Sequence, residues 1–235
     1  MADQTAKQQV NGALAAAQDG DFSGVTTIVA ALTHADAGVR LRAAYCGQRI
    51  GPAAAVDPLS EMARRDPESD NRNQATYGLA GVGLPAAVAA LIDVLADEDD
   101  SRRDDARTAL YRVVGRRVLA QLADGDVRDE RERDRVAEWW RTQSSRFDPA
   151  RVYAMGEPAS PATFIRELKA SRTNLPDAYL NSLRDWTGQD FGQSPRSTVV
   201  KQWEKWWAAH RGGYEPGRRY FYGHLVPCLI SCSGS

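Results

Sequence analysis

Residues Val39–Leu59, VRLRAAYCGQRIGPAAAVDPL, return in altered form as Asn71–Leu91, NRNQATYGLAGVGLPAAVAAL, after a shift of 32 residues, from position 39 to position 71. Arginine, alanine and tyrosine residues align, and each copy has a glycine near its middle, Gly51 or Gly83. A weaker third copy ends at Gly115. A repeat of about 20 to 50 residues is typical of solenoids, because each unit must bury its apolar face against the next. The pattern predicts an all-α fold, an α-solenoid of stacked helical hairpins.

Glycine and proline indicate where the helices of each hairpin begin and end. Gly51 and Gly83 are expected to end the first helix of their units, because glycine adopts the left-handed conformation without steric cost. Pro52 and Pro85 suit the first turn of the second helix, where the missing N–H has no partner to lose. Pro58 has two interpretations: it lies in the first turn of a slightly later helix, or it kinks one that has already begun.

Acidic stretches at 66–70 and 97–101 separate the repeats. Their side chains can accept hydrogen bonds from the first N–H groups of the next helix and complement its dipole. We therefore expect these acids to cap the first helix of the following unit.

The repeat pattern consists of an aspartate-rich turn, then the residue pair VR, then two alanines, and then small residues near the pair IG, where the first helix is predicted to end. This pattern, over about Asp21–Leu122, resembles the HEAT-like repeats first noted in phycobilisome lyase subunits. Proteins with such repeats include scaffolds, lyase subunits, regulators and a family of DNA glycosylases. In the resembling families the second helix of each unit lines the inner face. The resemblance thus implies four concave-face candidates, although a solvated helix face carries the same residue types. They are Asp57, Glu61, Arg64 and Asp93.

The composition changes after Gly125, where the charged run DVRDERERDRVAEWWR introduces the first tryptophans. Its alternating charges indicate the solvated face of a helix. We predict HEAT-like helical repeats over residues 1–125, a tryptophan-rich helical module over 126–226 and a flexible tail over 227–235.

A second duplication relates Glu138–Gly156 to Lys205–Gly223, with a shift of 67 residues from position 138 to position 205. Both copies share a tryptophan pair, an aromatic-acid-proline triplet, an arginine, a tyrosine and a final glycine. Each is predicted to form the end of a helix, a turn at the proline and a short extended segment, at 152–155 or 219–222. The stretch Leu183–Trp207 also resembles a module found beside HEAT-like repeats in some large bacterial genomes, which favours a bacterial source and implies no particular chemistry.

Three tryptophans of the second copy, Trp203, Trp206 and Trp207, are spaced to share one helical face. Such a stripe can pack in the core, or it can be an exposed binding surface, because large rigid aromatic groups favour interfaces. The second interpretation makes this copy the docking site for a partner. The partner-binding candidates are then Trp206, Trp207, Arg218, Arg219, Tyr220, Tyr222 and His224.

Motifs for catalysis and cofactors are missing from the sequence. The glycines are spread as helix stops rather than grouped in a phosphate-binding loop, and the histidines adjoin no nucleophile motif. His224, Cys228 and Cys232 form H-x3-C-x3-C, whose spacing departs from zinc-finger patterns and lacks a fourth ligand. Cys46 is expected to be a small core residue. We predict no catalytic residue, no metal and no cofactor, and hence that the chain is not an enzyme.

Charge and hydropathy limit the kinds of partner. The formal net charge of −1 gives no global attraction to nucleic acid or to an anionic membrane, although the arginine pairs 102–103, 116–117 and 218–219 could line one surface. The sequence shows neither a secretory signal nor a membrane span, and its three cysteines suggest a cytoplasmic location.

The leading hypothesis is a non-catalytic scaffold or adaptor that binds a protein partner. The alternatives are a HEAT-like lyase or lyase-chaperone subunit and a HEAT-like DNA-binding or base-excision protein. The oligomeric state is left open.

Overall fold

The computed structural model describes residues 2–115, 132–171 and 177–227. Helices dominate all three ranges, so the predicted all-α fold class is confirmed. The first range contains α1 (Ala2–Gln18), α2 (Val25–Ala31), α3 (Ala37–Ile50), α4 (Val56–Arg65), α5 (Ser69–Val82), α6 (Pro85–Val94) and α7 (Asp100–Val114). The other ranges contain α8 (Glu132–Gln143), β1 (Tyr153–Ala154), β2 (Glu157–Pro158), α9 (Pro161–Ala170), α10 (Asp177–Thr187), α11 (Arg196–His210), β3 (Tyr220–Phe221) and β4 (His224–Leu225).

The predicted hairpins are α3 with α4 and α5 with α6, and α7 begins a third unit. Gly51 and Gly83 both have a φ of +69° immediately after the first helix of their units, and Gly115 follows α7 with a φ of +76°. All three predicted helix ends are therefore confirmed. Each glycine lies 32 positions after the previous one, so the first helices of successive units end in register.

An arginine near the start of each first helix binds the turn that precedes it. The Arg40 guanidinium donates to the backbone carbonyls of His34 and Ala35, each at 2.8 Å. Arg72 repeats both bonds 32 residues later, and Arg103 repeats them after a further 31. Helix α7 has 15 residues where α5 has 14, so the third unit has one extra residue within its first helix. This extra residue shifts the alignment of the third copy with the second, which explains why the third copy is weak in sequence.

Prolines enter the second helices in different ways. Pro85 is the first residue of α6, as predicted. Pro52 is not in a helical turn: its ψ of 136° is extended, and it precedes a 3-10 turn at Ala53–Ala55, so that prediction was wrong. The same 3-10 turn delays α4 until Val56 and places Pro58 in its first turn, which resolves the ambiguity in favour of the later helix.

Acidic capping is confirmed for one of the two stretches. In the stretch 97–101, the carboxylate of Asp99 precedes α7 and accepts a hydrogen bond from the Ser101 N–H at 2.8 Å. Glu68, the residue before α5, makes no such bond with its side chain. In that stretch Asp66 instead accepts the Glu68 N–H at 3.0 Å and binds Arg40, so the acid organises the turn rather than the helix end.

The 67-residue duplication is reproduced bond by bond. Tyr153 Oη accepts the Asp148 N–H at 2.8 Å, and Tyr220 Oη accepts the Glu215 N–H at 3.0 Å. Each copy then forms an antiparallel hairpin, β1 with β2 or β3 with β4. The two predicted extended segments are therefore confirmed, although only two residues of each form a strand.

Both hairpins pack against helix ends. In the first copy, the N–H groups of Met155 and Gly156 donate to carbonyls in the last turn of α7, at 2.8 and 3.0 Å. In the second copy, the equivalent Tyr222 and Gly223 donate to carbonyls in the last turn of α10, at 2.6 and 2.9 Å. The module thus uses one hairpin geometry twice, once against the repeats and once within itself.

Two groups of buried side chains form the core. The first extends through the repeats and includes Val136 of α8, with Trp139 and Trp140 packed against it. The second lies between α9, α10 and α11 around Trp186 and Trp203. The predicted boundary at Gly125 lies outside the described residues, as does most of the predicted tail.

Candidate functional site

A cleft of about 340 Å³ opens where the helical repeats meet the carboxyl-terminal module, and we call it the central cleft. The ends of α3, α5 and α7 form one wall, and β1, α10 and the residues that flank β3, Arg219 and Tyr222, form the other. The charged side chains that line it are Arg49, Arg112, Arg184, Asp185 and Arg219. The cleft exists because the module seats on the glycine-terminated helix ends.

Those glycines allow the close seating. A Cβ atom at Gly83 would lie 2.8 Å from the Tyr153 carbonyl oxygen and 2.9 Å from Val152 Cγ1. A Cβ at Gly51 would lie 2.7 Å from Arg219 Nε. In addition, the Tyr153 N–H donates to the Gly83 carbonyl at 2.8 Å. The repeat glycines therefore have a second function beside ending helices, since they admit the backbone and side chains of the module.

Arg219 joins the module to the end of α3. Its Nε donates to the Ile50 carbonyl at 2.9 Å, and its Nη2 donates to the carbonyls of Gln48 and Arg49. The guanidinium also lies over the Trp186 ring, 5.2 Å from its centroid. Burial lowers the pKa of Arg219 to about 10, against the opposing effect of Asp185, so the side chain is cationic at neutral pH. A cation at a helix carboxyl terminus complements the helix dipole.

Arg49 and Asp185 form an ion pair across the cleft. Arg49 Nη2 lies 2.6 Å from Asp185 Oδ1, and Arg49 Nε donates to the same oxygen at 2.9 Å. Burial raises the pKa of Asp185, and the hydrogen bonds and charge of Arg49 offset this only in part. Because the residues are 136 positions apart, the pair connects the repeats to α10.

Two further arginines of the cleft are less completely neutralised. Within the described residues, Arg112 has no carboxylate within 4.0 Å, and its guanidinium lies 5.3 Å from the centroid of the Tyr77 ring. Arg184 binds Asp190 at 2.9 Å, but its Nε atom is buried without a hydrogen-bond partner in the structure. The described part of the lining therefore carries four guanidinium groups and one carboxylate.

Tyrosines complete the lining. Tyr45 is 40% exposed and lies beneath the guanidinium groups of Arg42 and Arg49, at 5.1 and 5.7 Å from its ring centroid. Tyr179 faces Arg112, and burial together with Tyr111 raises its pKa. Tyrosine and arginine are enriched in protein interfaces, where they offer large contact area and several hydrogen bonds.

The predicted partner-binding residues are divided by the structure. Arg219 and Tyr222 line the central cleft, whereas Tyr220 is buried with its hydroxyl bound to Glu215. Arg218 and His224 are exposed outside the cleft. The prediction that these residues bind a partner stays a prediction, but it applies to more than one surface.

Trp206 and Trp207, the other two candidates, are half-buried against the second core, next to the fully buried Trp203. Trp207 contacts Tyr214, with 5.9 Å between ring centroids, and Trp206 stacks on His210 at 4.7 Å. The first copy has an equivalent contact between Trp140 and Phe147 at 5.1 Å. Since both copies use this arrangement, it has a packing role, while the outer edges of the rings stay accessible.

The four concave-face candidates lie on α4 and α6. Arg64 pairs with Asp93 at 3.1 Å and lies 3.8 Å from Glu61, and all three side chains are about two-fifths exposed or more. Asp57 is exposed at the start of α4. None of the four lines the central cleft.

The structure describes one of the three cysteines, together with His224. Cys46 is buried in the core, as predicted, and burial raises the pKa of its thiol. In the predicted H-x3-C-x3-C motif only His224 is described, since Cys228 and Cys232 lie outside the described residues. No cluster of metal-binding side chains occurs in the part of the chain that the structure describes.

The arginine pair at the start of α7 is neutralised by neighbouring acids. Arg102 and Arg103 bind Asp97 and Asp100 in the preceding acidic turn, and the pair 116–117 lies outside the described ranges. Of the helices in those ranges, none combines the length and the apolar character needed to cross a membrane.

Residues 25–111 match the family model for HEAT repeats, which covers α2 to most of α7. This match supports HEAT-like repeats in the amino-terminal half of the chain. None of the curated proteins compared with the chain matches it. The carboxyl-terminal module lies outside the matched residues, and the relation to lyase-type repeats stays a prediction.

Proposed function

We propose that this chain is a non-catalytic scaffold that binds a protein partner at the central cleft. HEAT repeats commonly form protein-binding scaffolds, and this chain contains them. The observation that carries the proposal is the composition of the cleft, which combines arginines and tyrosines from both halves of the chain. Pockets of this kind contain the residues that dominate binding energy in protein interfaces.

Tyr45 is the best point of attachment for a partner. Among the described residues only Tyr45 and Leu225 are large hydrophobic side chains with high exposure, at 40% and 45%. Tyr45 borders the cleft, and Leu225 does not. These two residues therefore provide a matched test of where the partner binds.

The experiment uses a photo-crosslinking amino acid at position 45, with the same group at the exposed Lys201 of α11 as a control. A protein crosslinked only from position 45 is then purified and titrated with the unmodified chain. We expect direct binding that Tyr45→Ala weakens by about tenfold or more and that Leu225→Ala leaves unchanged. Equal losses in both variants, or no loss in either, would contradict the assignment of the cleft.

The same titration distinguishes the alternatives that share this fold. A lyase or lyase-chaperone subunit would release a modified partner, which mass spectrometry detects as a change in partner mass. A DNA-binding or base-excision protein would bind a duplex oligonucleotide at low salt and lose it as salt rises. Either result would contradict a non-catalytic protein scaffold.

A further inference from the structure

We infer that the central cleft binds an acidic segment of the partner, with a carboxylate seated between Arg112 and Arg184. This inference rests on the proposed function and names the chemistry of its partner. Among the described residues that line the cleft, four guanidinium groups accompany the single carboxylate of Asp185. A cleft with an excess of partly buried positive charge favours an anionic ligand.

The four arginines differ in what they can offer. Arg49 is committed to Asp185 at 2.6 Å, and Arg219 to the backbone carbonyls at the end of α3. Neither can turn to a ligand without breaking the contact between the repeats and the module. The free capacity therefore belongs to Arg112 and Arg184.

Of the two, Arg112 has more N–H donors free to bind a ligand. Its neighbour Asp105 accepts the Tyr77 hydroxyl hydrogen bond, and Glu167, across the adjoining groove, lies 3.6 Å from Arg166 Nε. No carboxylate among the described residues pairs with Arg112 itself. Its guanidinium keeps N–H donors for a ligand, and arginine binds carboxylates through two parallel hydrogen bonds.

Arg184 supplies the second donor group. Its Nη2 pairs with Asp190, whose side chain is 60% exposed, and its Nη1 donates to Asn181 Oδ1 at 3.2 Å. Its Nε has no partner and is buried. A buried N–H without an acceptor costs stability, and a ligand oxygen would relieve that cost.

A protein carboxylate fits this site better than a nucleic acid. A volume of about 340 Å³ holds one or two side chains. The whole chain also has a formal net charge of −1. A polyanion needs an extended basic surface, whereas a single acidic side chain needs only the two guanidinium groups.

The test titrates the full chain with a short fluorescent peptide rich in glutamate and with its glutamine counterpart. We expect the glutamate peptide to bind and the glutamine peptide to bind at least about tenfold more weakly. Arg112→Gln should reduce binding of the glutamate peptide about tenfold, and Arg184→Gln should reduce it as well. Arg146→Gln, which removes the same charge at an exposed position outside the cleft, should leave binding unchanged.

Thermal denaturation of each variant establishes that it is folded before binding is compared. Equal binding of both peptides, unchanged binding by Arg112→Gln, or an equal loss in Arg146→Gln would overturn the inference. Stronger binding of a single-stranded oligonucleotide than of the glutamate peptide would overturn it too. The two proposals fail separately: a partner that still binds Arg112→Gln contradicts the acidic segment, whereas peptide binding without any crosslinked partner contradicts the scaffold.

Discussion

Arg219 Nε and the carbonyl oxygen of Ile50 are joined by a hydrogen bond of 2.9 Å between residues 169 positions apart. The bond fixes the second β-hairpin of the module against the carboxyl-terminal end of α3. It also places a partly buried cation where the α3 dipole is negative. The contact between the two halves of the chain is thus polar and specific in geometry, and its individual bonds can be tested.

Replacing Arg219 should loosen this contact. We expect Arg219→Ala to lower the free energy of unfolding by about 2–4 kcal/mol, because three backbone carbonyls lose a charged donor in a buried place. Arg218→Ala, at the exposed neighbouring position, should change it by less than about 0.5 kcal/mol. Urea denaturation measures both, and equal effects would mean that Arg219 is not a docking residue.

Gly83 tests whether the repeat glycines admit the module. Gly83→Ala introduces a left-handed alanine and a Cβ atom only 2.8 Å from the Tyr153 carbonyl oxygen, so we expect a loss of about 3 kcal/mol or more. Gly192 has a similar φ of +75° with no atom within 4 Å of the added Cβ. Gly192→Ala should therefore cost only the conformational part, about 1–2 kcal/mol. A loss of the same size at both positions would show that close packing at Gly83 is unimportant.

Asp66 should make stability depend on pH. Burial alone would raise the pKa of its carboxyl, but hydrogen bonds from Arg40, the Glu68 N–H and Asn71 outweigh burial and hold the pKa below its ordinary value. A depressed pKa contributes stability that is complete above the unfolded-state value and is lost as the pH falls through the lower folded-state value. We expect Asp66→Asn to lose about 1–3 kcal/mol at pH near 7.

The same comparison at pH near 3 should show a smaller difference between wild type and Asp66→Asn, because stability contributed by a carboxyl with a lowered folded-state pKa is lost as the pH falls below the unfolded-state pKa. Chemical denaturation at both pH values provides the measurement. Asp57→Asn is the control, since this side chain is exposed, and it should change stability by less than about 0.5 kcal/mol at either pH. A difference for Asp66→Asn that does not vary with pH would remove the ion pair from the explanation.

The cost in stability of replacing each tryptophan of α11 should follow how deeply that tryptophan is buried. Trp203 is 1% exposed, and we expect Trp203→Ala to cost about 3–5 kcal/mol. Trp206 and Trp207 are half-buried, so their alanine variants should cost less, about 1–3 kcal/mol. If folded Trp206→Ala and Trp207→Ala proteins lose the partner captured from position 45, then the aromatic stripe, and not only the cleft, binds it.

Much of the fold could be predicted from the sequence because its signals are local and repeated. The helix ends at Gly51 and Gly83 follow from a property of glycine itself, and the duplicated Tyr153 and Tyr220 recur with the same bonds. Pro52 was misinterpreted because a 3-10 turn absorbs three residues before α4 begins. No local pattern distinguishes such a turn from the start of the helix itself.

The central cleft could not be predicted in the same way. Arg49 and Asp185 are ordinary charged residues of two different helices, and only the seating of the module on the repeats brings them together. Arg219 lay among the predicted binding residues, but its partners are backbone carbonyls, which carry no sequence signal. One clue was available: the glycines of the repeats are spaced evenly enough to suggest a common contact as well as a common turn.

The seating of the two hairpins has a consequence for how this gene can change. A solenoid held only by contacts between neighbouring units can gain or lose a unit by recombination, because each remaining unit keeps an equivalent neighbour. Here the module contacts the ends of α3, α5 and α7 at fixed spacing. Deleting one 32-residue unit would remove one of the helix ends that the module contacts. The number of repeat units can therefore change only together with the module.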